Sequence, residues 1–418
     1  MSVTIPNGYK QTKVGVIPED WDIPRIDSVL QRIRKKVDVE KETLYQQIGI
    51  RSHAKGIFHK EPVTGEVLGN KSVFWIEEDS FIVNIVFAWE QAVAKTTASE
   101  KGMIASHRFP MYQSKDNRAD IDYILYFFKS KRGKHLLGLA SPGGAGRNKT
   151  LGQKEFSELK IPLPSLKEQQ KIAQILSTWD DAIIKQEDFI KAKETLKKGL
   201  MQKLLSGEVR FDGFDGEWEE VRLGDVGYTY GGLTKKTAED FGCGNAQYIT
   251  YKNIFDNDKI DVSIFDNVQI NKDEKQNKVM YGDVLFTTSS ETPEDVGMSS
   301  ILLNEIDELY LNSFCFGYRL NDLNILNPQF ARFYFRSFYM RDKISRLAQG
   351  STRFNLSKLQ VMKIKIKFPL LKEQEKIAQV LTTADKEIAL FKKELETLKE
   401  QKHGLMQRLL SGVVRVKG

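Results

Sequence analysis

Apolar side chains near the end of the chain recur at alternating steps of four and three: Ile377, Leu381, Ala384, Ile388, Phe391, Leu395, Leu398, Leu405 and Leu409, with Lys402 the polar member of the series. A 3.5-residue spacing keeps one seam toward a partner helix, which is what a left-handed coiled coil requires. The same ten positions 205 residues earlier hold Ile172, Leu176, Trp179, Ile183, Gln186, Ile190, Lys193, Lys197, Leu200 and Leu204, seven of them apolar. The pattern predicts two long helices, opened by proline turns (Pro162-x-Pro164 and Pro369) and stopped by Gly207 and Gly412. About 40 residues make a rod of roughly 60 Å. Each seam needs cover, and two tandem copies related by a pseudo-two-fold supply it by lying antiparallel. The commoner fate of such a stripe is packing on its own globular domain, but the length and unbroken register oppose that.

Between the rods the pattern turns to mixed α and β. Alternation in Leu44-Tyr-Gln-Gln-Ile48, Phe81-Ile-Val-Asn-Ile-Val86, Tyr310-Leu-Asn-Ser-Phe-Cys-Phe-Gly-Tyr318 and Lys363-Ile-Lys-Ile-Lys367 predicts strands. Each segment should also hold one helix. The second starts at an Asn327 cap followed by Pro328 and runs to about Leu347. On it, Arg332, Arg336, Lys343 and Arg346 fall on one stripe opposite Phe330, Phe333, Tyr334, Phe338, Met340 and Ile344, so one side should pack and the other be cationic.

The strong repeat pairs Ile161-Pro-Leu-Pro-Ser-Leu-Lys-Glu-Gln-Gln-Lys-Ile-Ala with Ile366-Lys-Phe-Pro-Leu-Leu-Lys-Glu-Gln-Glu-Lys-Ile-Ala, and 25 of the 51 positions in 161 to 211 match 366 to 416. A fainter echo pairs Trp21-Asp-Ile-Pro-Arg25 with Trp218-Glu-Glu-Val-Arg222, so the chain is two copies of one unit. The expected fold class is α+β: mixed domains over 1 to 164 and 212 to 368, long helices over 165 to 211 and 369 to 412, and a tail from 413 to 418. The 418 residues, 40% hydrophobic and 28% charged with 11 prolines, are those of a folded globular chain. The longest apolar run, Phe81 to Trp89, is broken at Asn84 and too short for a membrane helix, and no export signal is readable at Met1-Ser-Val-Thr-Ile-Pro-Asn7. Two cysteines, Cys243 and Cys315, make no disulfide framework. A cytoplasmic protein is expected. The net charge of +7 is uneven: residues 1 to 160 hold 25 basic and 19 acidic side chains, residues 212 to 365 hold 18 and 23.

Catalytic patterns fail on inspection. Gly143-Gly-Ala-Gly-Arg-Asn-Lys149-Thr150 resembles a phosphate-binding loop, but Asn148 stands where glycine must precede the lysine. Asn327-Pro328-Gln329-Phe330 lacks the second proline of an adenine-methyltransferase loop. His53, His59, His107, His135 and His403 show no metal-ligand spacing. A non-catalytic chain with no metal and no cofactor of its own is expected.

Three kinds of loop and one helix face set cations beside hydrogen-bonding side chains, the chemistry that meets phosphate and base edges. The first is Gly350-Ser351-Thr352-Arg353-Phe354-Asn355, with Arg147, Asn148 and Lys149 at the corresponding place in copy one. The second is Thr287-Thr288-Ser289-Ser-Glu291, matched in style by Thr96-Thr97-Ala-Ser-Glu100. The third is Arg51-Ser52-His53-Ala-Lys55, with Tyr251-Lys252-Asn253 in copy two. The helix stripe Arg332, Arg336, Lys343 and Arg346 completes the set. Each alone is more often a solvated surface; their repetition in both copies favours DNA.

The duplicated Pro-x-Leu-Lys-Glu-Gln-x-Lys-Ile-Ala block (164 to 173, 369 to 378), the Leu-Met-Gln-Lys/Arg-Leu-Leu-Ser-Gly block (200 to 207, 405 to 412) and the Trp-x-x-x-Arg openings resemble the DNA-specificity subunit of type I restriction-modification enzymes over essentially the full chain. The resemblance implies two variable target-recognition domains alternating with two conserved helices, each domain reading half of a split double-stranded DNA target. It implies modification (adenine methyltransferase) and restriction (translocase and nuclease) subunits as partners, with S-adenosylmethionine, ATP and Mg on those partners and not on this chain. It points to Arg353, Thr352 and Asn355 as DNA contacts, with Arg147, Asn148 and Lys149 as looser counterparts. The rival readings are a coiled-coil adaptor that never meets DNA and an enzyme whose site is assembled only by folding. A rod of about 60 Å would place two readers more than one turn of B-DNA apart, so deleting one heptad from either helix is expected to change the spacer between half-sites or abolish binding, as read from the methylated motif.

Overall fold

The computed structural model describes residues 5–12, 14–143 and 149–416. Two compact units divide it: the first is Met1–Glu187 with Lys393–Gly418, the second Asp188–Lys392. The division falls within both long helices, Leu166–Ser206 and Leu371–Leu410, so each unit owns half of each.

Within the first unit Asp180 pairs with Lys402 and Glu187 with Lys399 at 3.0 Å. Within the second, Glu194 pairs with Lys392 at 2.6 Å, Lys193 with Glu387 at 3.1 Å, and Lys197 with Asp385. Numbers rise along one helix as they fall along the other, so the pairing is antiparallel. All ten seam positions of each helix are buried or half-buried, and the Phe189 and Phe391 rings meet edge to face with centroids 4.9 Å apart. The exposed pairs among these contribute little individually, and Lys197–Asp385 and Lys402–Asp180 are half-buried; the buried seam drives the pairing, and the charges fix its register. Gly207 and Gly412 follow the helices at φ +77° and +73°, the left-handed conformation that ends a helix at no steric penalty.

The repeated Lys-Glu-Gln block has a structural job. Gln169 is fully buried, donating to the Pro164 and Arg118 carbonyls and accepting from the Asp120 N–H; Gln374 does the same with Pro369, Ile325 and Asn327. Glu168 and Glu373 are also buried, and each carboxylate is met by an arginine just beyond the end of the other long helix, Arg415 at 2.8 Å and Arg210 at 2.6 Å. A buried carboxylate without such a partner would be strongly unfavourable. The tryptophan echo belongs to the same frame. The backbone at Asp22 and Arg25 bridges to Leu163 and Lys160, Glu219–Arg222 pairs with Lys365–Phe368, and the buried Trp21 indole donates to Glu168 at 3.2 Å.

Each unit carries a four-stranded antiparallel sheet of one order. In the first it runs Val93–Lys95, Phe81–Val83, Met111–Ser114, Leu30–Ile33; in the second Ser299–Ile301, Val284–Thr287, Cys315–Leu320, Gly227–Gly231. Aromatic rings fill the space between sheet and helices: Phe81, Phe127, Phe128 and Phe156 in one unit, Phe286, Phe316, Phe330 and Phe333 in the other, all fully buried.

Several predicted elements are shorter than their patterns. The helix expected from Asn327 to Leu347 is two, Pro328–Tyr334 and Phe338–Ser345, because Ser337 turns extended and its hydroxyl accepts the Met340 N–H. The strand at Phe81 stops at Val83, where the Asn84 side chain accepts the Val86 N–H. The run from Tyr310 breaks at Asn312, which accepts the Phe314 N–H and sends Leu309–Leu311 and Cys315–Leu320 to different sheets. Leu44–Tyr45 and Ile48–Ile50 likewise join different hairpins.

Gln374→Leu should strand two carbonyls and one N–H in the second unit and lower its stability by about 3 kcal/mol, read as an earlier urea midpoint; Gln169→Leu should do the same to the first unit.

Candidate nucleic-acid interface

In the second unit three of the sequence-predicted segments meet. Strands Ser289–Ser290 and Phe354–Asn355 pair antiparallel, and the Leu356 N–H donates to the Thr288 carbonyl at 2.8 Å. The Tyr251 hydroxyl donates to the Ser289 carbonyl at 2.7 Å. Gln349 and Asn355 exchange backbone hydrogen bonds, closing the 350–354 loop, in which Gly350 sits at φ +135°. A side chain there would put its Cβ 2.1 Å from the Arg353 carbonyl oxygen, so the turn demands glycine. Ser351, Thr352, Arg353 and Asn355 are exposed, as is Lys252; Thr288 and Tyr251 are half-buried. Burial pushes the Tyr251 hydroxyl above its ordinary pKa, and the Arg353 charge opposes the rise. The result is a rigid backbone crossing that holds a cation and several hydrogen-bonding groups toward solvent.

Other predicted residues lie inside. Thr287 and Ser289 are buried with their strands. Asn253 is fully buried, its amide bonding the backbone of Asp261 and Ile264. The expected cationic helix face is divided, because neighbouring segments cover its first half. Arg332 is buried between Asp385 at 2.6 Å and Asp258 at 3.0 Å, and Arg336 donates to the carbonyls of Ser299, Ile254, Phe255 and Asn257. Burial lowers the Arg336 pKa. Lys343 lies over the Tyr339 ring at 4.7 Å, and only Arg346, paired with Asp342, is well exposed. Asn327 caps its helix through the Gln329 and Phe330 N–H groups.

The first unit repeats the crossing with different side chains. The Leu151 N–H donates to the Ile85 carbonyl at 2.8 Å, as Leu356 does to Thr288, and the Ile85 N–H donates to the Arg108 carbonyl at 3.0 Å, as Thr288 does to Phe314. By hydrogen bonding, Thr288 therefore corresponds to Ile85 and not to Thr96–Thr97. Thr96 is buried under the Glu77 and Ser80 carbonyls, and Thr97 forms a capping box with Glu100. The 51–55 segment is a hairpin tip between Ile48–Ile50 and Ile57–His59. Arg51 stacks on Phe58 at 4.8 Å, Ser52 donates to Glu90, His53 takes φ +60°, and Lys55 is exposed. The Lys149 ammonium lies 5.5 Å from the Trp89 ring centre, one residue from Glu90, so tip and Lys149 share one surface. Arg147 and Asn148 lie outside the described residues. Sequence reasoning missed Arg108, Phe314 and the half-buried Arg341, whose guanidinium donates to the carbonyls of Gly297, Glu294 and Val296 and whose pKa is lowered by desolvation to about 10.

Among the described residues no cluster of His, Cys, Asp and Glu could hold a metal ion, and no helix is long and apolar enough to cross a membrane.

Comparison with known proteins gives consistent findings. The profile of the type I restriction modification DNA specificity domain matches residues 18–192 and again 215–400. The type I restriction enzyme MjaVIII specificity subunit of Methanocaldococcus jannaschii is 28% identical over 96% of this chain and 94% of its own length; the putative MjaX specificity subunit of the same organism is 25% identical over 98% and 97%. Among solved structures, the HsdS subunit from Thermoanaerobacter tengcongensis superposes with a TM-score of 0.57 at 18% identity, covering 95% of this chain and 98% of that one. A chain from a structure on complex assembly and conformational transition of the type I R-M system reaches 0.62 at 18% identity, covering 95% and 99%.

Arg336→Gln should leave buried carbonyls without donors and lower stability by roughly 2–4 kcal/mol, whereas exposed Arg353→Gln should change it by less than about 0.5 kcal/mol. Urea unfolding of the two variants checks the contrast.

Proposed function

The chain belongs to the type I restriction modification DNA specificity family, and from that premise we propose that it is the non-catalytic subunit that reads a split double-stranded DNA target. It directs modification and restriction subunits to that target. The observation that carries the reading is the repeated backbone crossing: two hydrogen bonds made alike in both units, Leu356 to Thr288 to Phe314 and Leu151 to Ile85 to Arg108, set unlike side chains around one node. A frame that is fixed while its outward groups differ is what recognition of two different half-sites needs. Residues 1–164 and 212–368 are the two recognition domains; 165–211 and 369–412 are the helices that pair and offer a docking surface, and 413–418 is the tail.

Arg353, Thr352, Ser351 and Asn355 meet DNA from the second crossing, with Lys252 and Thr288 beside them. Arg51, His53, Lys55 and Lys149, with Arg147 and Asn148, do so from the first. Arg332 and Arg336 act indirectly by holding the segments beneath the crossing. S-adenosylmethionine, ATP and Mg belong to the partner subunits, and the complex works on cytoplasmic DNA.

Co-expression with the cognate modification subunits and genome-wide mapping of methyladenine should return one motif of two unlike parts and a constant gap. A phosphate contact at Arg353 predicts that Arg353→Ala weakens all sequences and flattens the log-log salt slope by about 0.9; a base contact predicts an altered motif in one half. Unchanged affinity and motif would remove Arg353 from the interface.

A further inference from the structure

We propose that Phe314 and Arg108 are a matched pair of base-reading residues, one in each recognition domain; the inference rests on the DNA-specificity reading. The two occupy the same node of the fold. Each sits in the turn leading into the second-from-edge strand of its sheet, Cys315–Leu320 or Met111–Ser114, and each gives its carbonyl to the N–H at the centre of the crossing, Thr288 or Ile85. That central residue in turn accepts from Leu356 or Leu151, immediately after the loops that hold Arg353 and Lys149. The turn is thus fastened by hydrogen bonds to the segment argued above to meet DNA.

Both side chains point outward without an internal task. Phe314 is 65% exposed, an unfavourable position for a phenyl ring on a turn rigidly held by the Asn312 side chain. Arg108 is exposed, and among the described residues its guanidinium has no hydrogen-bond or ion-pair partner. By contrast Arg332, Arg336 and Arg341 in the other unit are all engaged by the protein. The chemistry of the pair differs as recognition requires. A phenyl ring suits the thymine methyl or the face of a base, and a free guanidinium fork suits the two acceptors of guanine in the major groove. Two exposed residues of unrelated chemistry on one repeated node are what a pair of readers for unlike half-sites would carry.

The test uses the full chain purified with its modification subunits. Phe314→Ala should relax one or two base pairs in one half-site and leave the other half-site intact, and Arg108→Ala should do the reverse. Each should lower affinity for the original site roughly tenfold with little change on scrambled DNA, since a good base contact is worth about 1–3 kcal/mol of discrimination. Phe314→Leu and Arg108→Gln, with thermal unfolding alongside, guard against a folding defect. An unchanged motif in both halves overturns the proposal, as does a loss shared by scrambled DNA with a shallower salt slope, which marks a backbone contact. If the wild-type complex itself methylates no bipartite motif, the DNA-specificity reading fails instead.

Discussion

A helix of forty residues with a single apolar seam is stable in water only when that seam is covered, and here each long helix is covered by the other. The rest of the frame follows from that pairing. Because the helices run antiparallel, the start of one lies beside the end of the other within each unit, which brings Arg415 to Glu168 and Arg210 to Glu373. Buried carboxylates tolerate no loose partner, so these contacts fix where each helix begins. Gln169 and Gln374 then tie that starting point to the segment ahead of the recognition-domain helix. Seam, ion pair and amide act in sequence, from the helix pair outward to the sheet.

On this scaffold the two units separate what must be constant from what can differ. The sheet order, the strand pairing before each long helix and the hydrogen bonds of the crossing recur. The outward side chains do not: a Gly-Ser-Thr-Arg turn and Phe314 in one unit, a hairpin tip with Arg51, Lys149 over Trp89, and Arg108 in the other. Arg332 and Arg336 show how much cation chemistry goes into rigidity, since six hydrogen bonds and ion pairs from two side chains join separate segments of the second unit. The 350–354 loop itself is closed by the backbone bonds between Gln349 and Asn355, so it can present its groups with little loss of entropy on binding.

The helices were legible in the sequence because heptad spacing is local and repeats over many turns, and the internal repeat made their mutual pairing evident. Strand patterns were legible only in part. Asn84, Asn312 and Ser337 each interrupt a run by bonding a nearby backbone N–H, a competition that hydrophobic alternation does not register. The crossing was harder still. Thr96–Thr97 resembles Thr287–Thr288 in letters, yet Ile85 is the structural counterpart of Thr288, because the bonds that define the node join residues from 23 to 68 positions apart. Stripe position likewise could not separate Arg332 and Arg336 from free surface arginines, since Asp258, Asp385 and the carbonyls that cover them come from distant segments.

The first unit owns Met406, Leu409 and Leu410 in its core, with Val414 and Val416 packed against it and Tyr9 bonded to the Gly412 carbonyl. In the order of the sequence, Asp188–Lys392, the second unit, separates these residues from the rest of their core. On the ribosome, which adds residues in order, the later unit has all its parts while the earlier one still waits with Trp21 and Leu176 uncovered. The half that is begun first is therefore the half that is finished last, and its open core is exposed to the cell for as long as some 200 residues take to be made.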